Sequence, residues 1–126
     1  MRFLTPEMIA DAINRAPNPF DAHDVEKGLL RHHAVETARE IVAQAGSGDA
    51  LRFFSAVLSR HMDRTFGGPS GPIHKTRKVE SENLGGLRSL NQQWEKLVEP
   101  VVPPGTPVPD ALVDDLEHWL EEAPQL

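Results

Sequence analysis

Residues 74–97 read HKTRKVESENLGGLRSLNQQWEKL. This stretch decides between two folds. As a hairpin, a strand around Lys75 to Ser81 turns through ENLGG and returns around Asn91 to Leu97. As a helix, Leu87, Leu90, Trp94, Leu97 and Val98 recur at helical spacing over the second half. Val79 is almost alone as an apolar residue in the first half, which makes that strand marginal. The hairpin is the reading adopted, with a helix over residues 84–98 as the alternative.

Upstream, the pattern is helical. Thr5 suits an N-cap, Pro6 the first helical position and Glu7 the positive end of the dipole. Met8, Ile9, Ala12 and Ile13 share one face, and Pro17 and Pro19 stop the helix. Asp21 is placed to cap the next helix, with Phe20 packing on Val25 as a hydrophobic staple. Val25 and Leu29 then lie on one side of the helical wheel. Leu30, Ala34, Ala38, Ile41, Val42 and Ala45 form a stripe on the opposite side. One straight helix cannot bury both stripes against one neighbour, so a break is expected near Arg31 to His33. Gly28 weakens the segment before the break. GSGD, with Gly46 or Gly48 at a left-handed cap, ends the third helix, and Asp49 caps a fourth. There Leu51, Phe54, Val57, Leu58, His61 and Met62 make the expected buried face. Arg52, Ser55, Ser59, Arg60 and Asp63 make the exposed one. FGGPSGP ends it.

Downstream, EPVVPPGTPVP cannot continue a helix and reads as a semi-extended connector. Asp110 caps DALVDDLEHWLEEA, in which Leu112, Val113, Leu116, Trp119 and Leu120 form an apolar stripe among acids. So short a helix is marginal alone, and its stripe must lie on something. Either it finishes the core of its own domain, or it enters a partner's groove, a second copy included. It can also fold back over Arg60, Arg77 and Lys78.

FDAHDV…LL followed by KVESENLGG…NQQWEKL resembles small bacterial proteins of undefined function and winged helix-turn-helix build. The resemblance covers roughly residues 3 to 97 and brings no catalytic or binding residue with it. No strand is read between the first two helices, a departure from the common winged-helix pattern. The expected fold is mainly α (α+β): about four helices with a β-hairpin wing, then an amphipathic helix on a proline-rich tether. The corresponding boundaries are 1–99, 100–109 and 110–126.

The chain has 126 residues, 39% of them hydrophobic and 25% charged, which is ordinary for one globular domain. It has no cysteine, so disulfides, thiolate catalysis and thiolate zinc sites are excluded. The N-terminus lacks a signal-like apolar core and no apolar run reaches bilayer length, so a soluble, cytoplasmic protein is expected. The net charge of -6 is unevenly spread: residues 97–126 hold seven acids and no Lys or Arg. Residues 1–96 carry 13 basic against 12 acidic side chains. Between residues 52 and 78, Arg52, Arg60, Arg64, Lys75, Arg77 and Lys78 face only Asp63.

Cations of this kind contact phosphate, a helix reads base edges in the major groove, and a flanking wing touches backbone. Arg52, Ser55, Ser59 and Arg60 are the candidate groove-facing set, and Lys75, Arg77, Lys78 and Arg88 the candidate backbone set. The alternative is that they are solvated surface charges paired with nearby acids. Six histidines invite a metal. His32 and Glu36, or His33 and Thr37, stand one turn apart, and His61 is near Asp63. No HExxH or third ligand completes a set, so neither metal nor cofactor is expected. His61 reads as a core histidine. Ser47 in AGSGD does not match a nucleophile elbow, and neither glycine-rich loop has a following Lys-Ser/Thr. Asp114 and Asp115, or Glu121 and Glu122, sit where nothing raises a carboxyl pKa. The expectation is a non-enzymatic regulatory or adaptor protein, with duplex nucleic acid as a partner. A protein–protein interaction or dimerisation module is the alternative.

Overall fold

A computed structural model describes residues 1–104 other than 45 and 47. Residues 105–109 of the tether expected over residues 100–109, the expected helix over residues 110–126, Ala45 and Ser47 lie outside the described residues. The described residues form four helices, α1 (Pro6–Arg15), α2 (Ala22–His32), α3 (Ala34–Ala43) and α4 (Ala50–Thr65), with strands β1 (Phe20–Asp21), β2 (Ile73–Glu82) and β3 (Arg88–Lys96). The strands form an antiparallel sheet in the order β1-β3-β2. The described chain is therefore α+β, and the hairpin reading of residues 74–97 holds.

The caps are where the side-chain chemistry puts them. Thr5 accepts from the Met8 N–H at 3.2 Å, and Asp21 forms a reciprocal capping box with Asp24. The break expected at Arg31 to His33 falls at His33, the one residue between α2 and α3. Its backbone leaves helical geometry (φ -136, ψ 50), and its Nε2 lies 2.8 Å from Asp11 on α1. A side chain bonded across to α1 thus fixes the corner between two helices.

The core consists of Ile9, Ala12 and Ile13 from α1, Val25 and Leu29 from α2, and Phe54, Leu58 and Met62 from α4. Ile73 and Trp94 close it from the hairpin. Phe20, expected to staple onto Val25, stacks on Trp94 with ring centroids 5.8 Å apart. Gly71 permits the turn from α4 into β2, since a Cβ there would meet the Phe66 carbonyl at 2.1 Å. Gly86, at φ +80, supplies the left-handed residue in the hairpin turn, where Asn83 Oδ1 accepts from the Gly85 and Leu87 N–H groups.

Two expectations are corrected. A strand does lie between the first two helices: Phe20 and Asp21 pair with Trp94 and Gln93. It is two residues long, too short for any alternation to show in a sequence. The stripe expected to bury α3 does not do so. Leu30, Ala34, Ala38 and Val42 are exposed, Ile41 is half-buried, and the buried residues of α3 are Thr37 and Glu40. Glu40 Oε1 accepts the N–H groups of Phe3 and Leu4, so α3 turns its polar edge inward to hold the N-terminal segment.

The hairpin is fastened to α1 at its base. The Lys96 side chain is 2% exposed, and its ammonium donates to the Ala16 carbonyl at 2.6 Å beside Glu99 Oε1 at 3.3 Å. The backbone of Val101 exchanges hydrogen bonds with the Asn14 side chain, and Val101 is buried. No helix among the described residues is long and apolar enough to cross a membrane.

Candidate nucleic-acid interface

α4 packs on α2 and α3, and the β2–β3 hairpin stands across from it. The two are joined at both ends and separate between them. Toward the start of α4, Leu51 approaches the hairpin turn, its Cδ1 3.5 Å from where a Gly85 Cβ would lie. Toward its end, Asp63 Oδ2 pairs with Lys75 Nζ at 3.0 Å. The twelve-residue span between Leu51 and Asp63 corresponds to about 18 Å of helix. A groove of ≈ 870 Å³ runs along it.

Arg52, Ser55, Ser59 and Arg60 line this groove from α4 and Lys78 lines it from β2, with Asn91 and Gln92 from β3 and His23 and Glu26 from α2. The expected groove-facing set and part of the expected backbone set therefore meet. The other cations are placed differently. Lys75 is held by Asp63 as the clamp just described. Arg88 pairs weakly with Glu80 at 3.9 Å on the exposed hairpin. Arg77 is exposed on β2 outside the groove lining. Among the described residues, no carboxylate lies within ion-pair distance of Arg52, Arg60, Arg77 or Lys78. Asp49 also lines the groove, but its Oδ1 is used in capping α4 at the Arg52 N–H.

Ser55 is a partial departure from expectation. It lines the groove, yet its hydroxyl donates inward to Glu26 Oε1. Ser59 is half-buried along the same wall.

The floor carries a buried polar network that sequence reasoning missed. His23 Nδ1 lies 2.8 Å from Ser81 Oγ, and the His23 N–H donates to Asn91 Oδ1 at 3.1 Å. Asn91 Nδ2 donates to the Val79 carbonyl and to Ser81 Oγ, each at 3.1 Å. Glu26 is 1% exposed; its Oε2 has no hydrogen-bond partner among the described residues and stands 4.0 Å from His23 Nε2. Burial pushes the Glu26 carboxyl up to about 7, against a smaller opposing effect of the Ser55 hydroxyl. Burial also pushes the His23 imidazole down, disfavouring its charged form. The available signal was the polar residues Ser81 and Ser89, paired across the hairpin, with Asn91 two positions on. Without a known fold nothing ties it to His23.

Among the described residues no group of three or more His, Asp or Glu is arranged to hold a metal. His33 pairs with Asp11, and His61 is half-buried with Thr65 Oγ1 3.4 Å from its Nε2.

Comparison of the chain with protein-family models, with curated proteins and with solved structures gives no match in any of the three.

Proposed function

We propose that the protein is a non-enzymatic regulatory protein that binds duplex nucleic acid at the face formed by α4 and the β2–β3 hairpin. The observation that carries this reading is the meeting of Arg52, Arg60 and Lys78, none of them neutralised by a described carboxylate, around one groove. Three cations facing one cleft raise the local concentration of a polyanion and release its counterions on contact. In this reading α4 presents Arg52 and Arg60 toward the duplex, the hairpin acts as the wing, and the cleft between them receives a sugar–phosphate strand. The strand between α1 and α2 and the hairpin directly after α4 support a winged-helix-like build.

The test is fluorescence anisotropy of a generic duplex with the full chain at two salt concentrations. Binding should weaken steeply with salt. The double variant Arg60→Gln/Lys78→Gln should bind more weakly and lower the salt slope by about 2, one unit for each phosphate contact removed. Binding that is absent at low salt, or unchanged in the double variant, would dispose of the reading.

A second reading, a protein-interaction surface with no nucleic-acid role, has one specific support. Leu87 and Leu90 border the same groove and are 70% and 72% exposed. Leu87→Ser/Leu90→Ser leaves duplex binding intact under the first reading and abolishes partner binding under the second.

A further inference from the structure

A second groove, of ≈ 450 Å³, lies between α3 and the N-terminal segment, away from the basic cleft. Its walls are Phe3, Ala38, Val42 and Ala43, and Arg2 and Arg39 flank it. The α3 surface around it is unusually apolar for a solvent face: Val35 is 59% and Val42 71% exposed. Ala38 and Val42 belong to the stripe that the sequence placed in the core, on the helix whose Glu40 turns inward to hold Phe3 and Leu4.

We propose that residues 110–126 of the same chain occupy this groove, with Leu112, Val113, Leu116, Trp119 and Leu120 seated against Phe3, Ala38 and Val42. Three observations support this occupant. The chain leaves the body within reach: Val101 is bonded to Asn14 near the end of α1, and Phe3 precedes the start of that helix, about 15 Å away. Residues 102–109 span about 26 Å when extended, enough to cover the distance. The charges are complementary, since residues 110–126 hold Asp110, Asp114, Asp115, Glu117, Glu121 and Glu122 with no Lys or Arg, and the groove is flanked by two arginines. The chemistry of the walls also discriminates. The basic cleft is lined by leucines such as Leu51, Leu87 and Leu90 but also by the polar His23, Ser55, Asn91 and Gln92 and by Glu26 with its unpartnered oxygen, whereas the walls of the α3 groove are apolar. An apolar stripe seated in the basic cleft would desolvate those polar groups. The α3 groove, walled by Phe3, Ala38, Val42 and Ala43, carries no such penalty. Docked there, the acidic segment leaves Arg52, Arg60 and Lys78 open.

The chain has two tryptophans, and Trp94 is fully buried, so acrylamide quenching of the full-length protein reads Trp119. Expected are a protected Trp119 in the parent chain and a several-fold rise in its quenching constant in Val42→Asp and in Arg39→Glu. Val42 and Arg39 are both exposed on α3, and far-UV circular dichroism confirms that the variants keep their fold. Lys78→Glu should leave the quenching unchanged. Freely quenched Trp119 in the parent chain, or variants on α3 without effect, would refute the assignment. Release by Lys78→Glu would refute it too, placing the acidic segment in the basic cleft as an autoinhibitor. Protection that appears only at concentrations where sedimentation shows a dimer would give the groove to a second copy and equally overturn it. Each of these results stands whether or not the chain binds duplex.

Discussion

Glu26 is the residue whose surroundings are least ordinary. One carboxylate oxygen accepts from Ser55, the other has no described partner, and the side chain is closed off from solvent. Burial of an acid disfavours its charged form, so the folded state holds the Glu26 proton up to about 7 against an ordinary 4.5. A carboxyl whose folded pKa lies above its unfolded value contributes stability below the unfolded value. That contribution declines as pH rises from 4.5 through about 7 and is gone above it. The ceiling is about 3 kcal/mol. His23 acts in the opposite sense. Its folded pKa is lowered, so folding loses stability as pH falls below 6.5, where the unfolded imidazole takes a proton. Asp21 and Lys27 modulate both groups, and Asp24 modulates His23. Glu26→Gln removes the first effect alone, because an amide keeps an acceptor for the Ser55 hydroxyl without a charge to desolvate. Relative to the parent chain, Glu26→Gln should therefore gain about 3 kcal/mol between pH 5 and pH 8, read by urea denaturation at both values. An identical stability difference at the two pH values would show that Glu26 does not titrate in this range. At the same scale, Gly71→Ala forces a Cβ onto the Phe66 carbonyl backbone, and that clash has no flexible side chain to absorb it. Its cost should be several kcal/mol, enough to abolish cooperative thermal unfolding of a marginally stable domain.

Strand β3 shows why an element of this fold is hard to read. Leu87, Leu90, Trp94, Leu97 and Val98 follow helical spacing, yet only Trp94 is buried. The other buried side chains of the strand are Asn91, Gln92 and Lys96, all polar and all hydrogen-bonded to neighbouring backbone or side chains. Hydrophobic alternation cannot reveal a strand whose inward positions are filled by satisfied polar groups. The hairpin was legible instead through its turn, because Asn-Leu-Gly-Gly supplies both an Asx acceptor and a positive-φ glycine. Caps were legible for the same reason: Thr5, Asp21 and Asp49 act locally, and local chemistry survives without a tertiary context. The stripe on α3 was misplaced because burial there is set by Glu40 reaching Phe3 and Leu4, residues far away in sequence. Half of the candidate site was legible, in that the cations of α4 and Lys78 were picked out by charge alone. Its floor was not, since His23, Glu26 and Asn91 meet only after folding. Trp94 is the test of the element. Trp94→Ala should cost about 3–5 kcal/mol by removing the partner of Phe20 and leaving a cavity. Trp94→Phe should cost clearly less, because the ring stack persists and the buried Nε1–H, which has no described acceptor, is gone. Equal losses for the two variants would mean that the indole nitrogen is satisfied.

At the scale of the whole molecule, the parts that carry the proposed interface are held by contacts between distant segments. One fastening of the sheet to the helices is the corner where Asn18 exchanges hydrogen bonds with the backbone of Lys96 and the Lys96 ammonium lies against the last carbonyls of α1. A cation at a helix C-terminus meets both free carbonyls and the negative end of the dipole. Here it also joins β3, the anchor of the hairpin, to the helical layer. Another fastening, Asp63 with Lys75, is a half-exposed pair and is worth at most about 1 kcal/mol to stability. The two fastenings should therefore separate stability from groove geometry. Lys96→Met retains the buried stem but strips a charge-assisted donor from the Ala16 carbonyl, and it should destabilise the fold by about 2 kcal/mol in urea without changing the denaturant slope. Lys75→Met should leave stability within about 1 kcal/mol of the parent chain. It unfastens the groove where α4 meets the base of the hairpin, so it should weaken duplex binding by more than the loss of one surface cation explains. The comparison is with Arg77→Met, which removes an unclamped cation from the same strand. If Lys75→Met and Arg77→Met lower duplex affinity equally, the clamp has no part in shaping the cleft, and Lys75 acts as a charge alone.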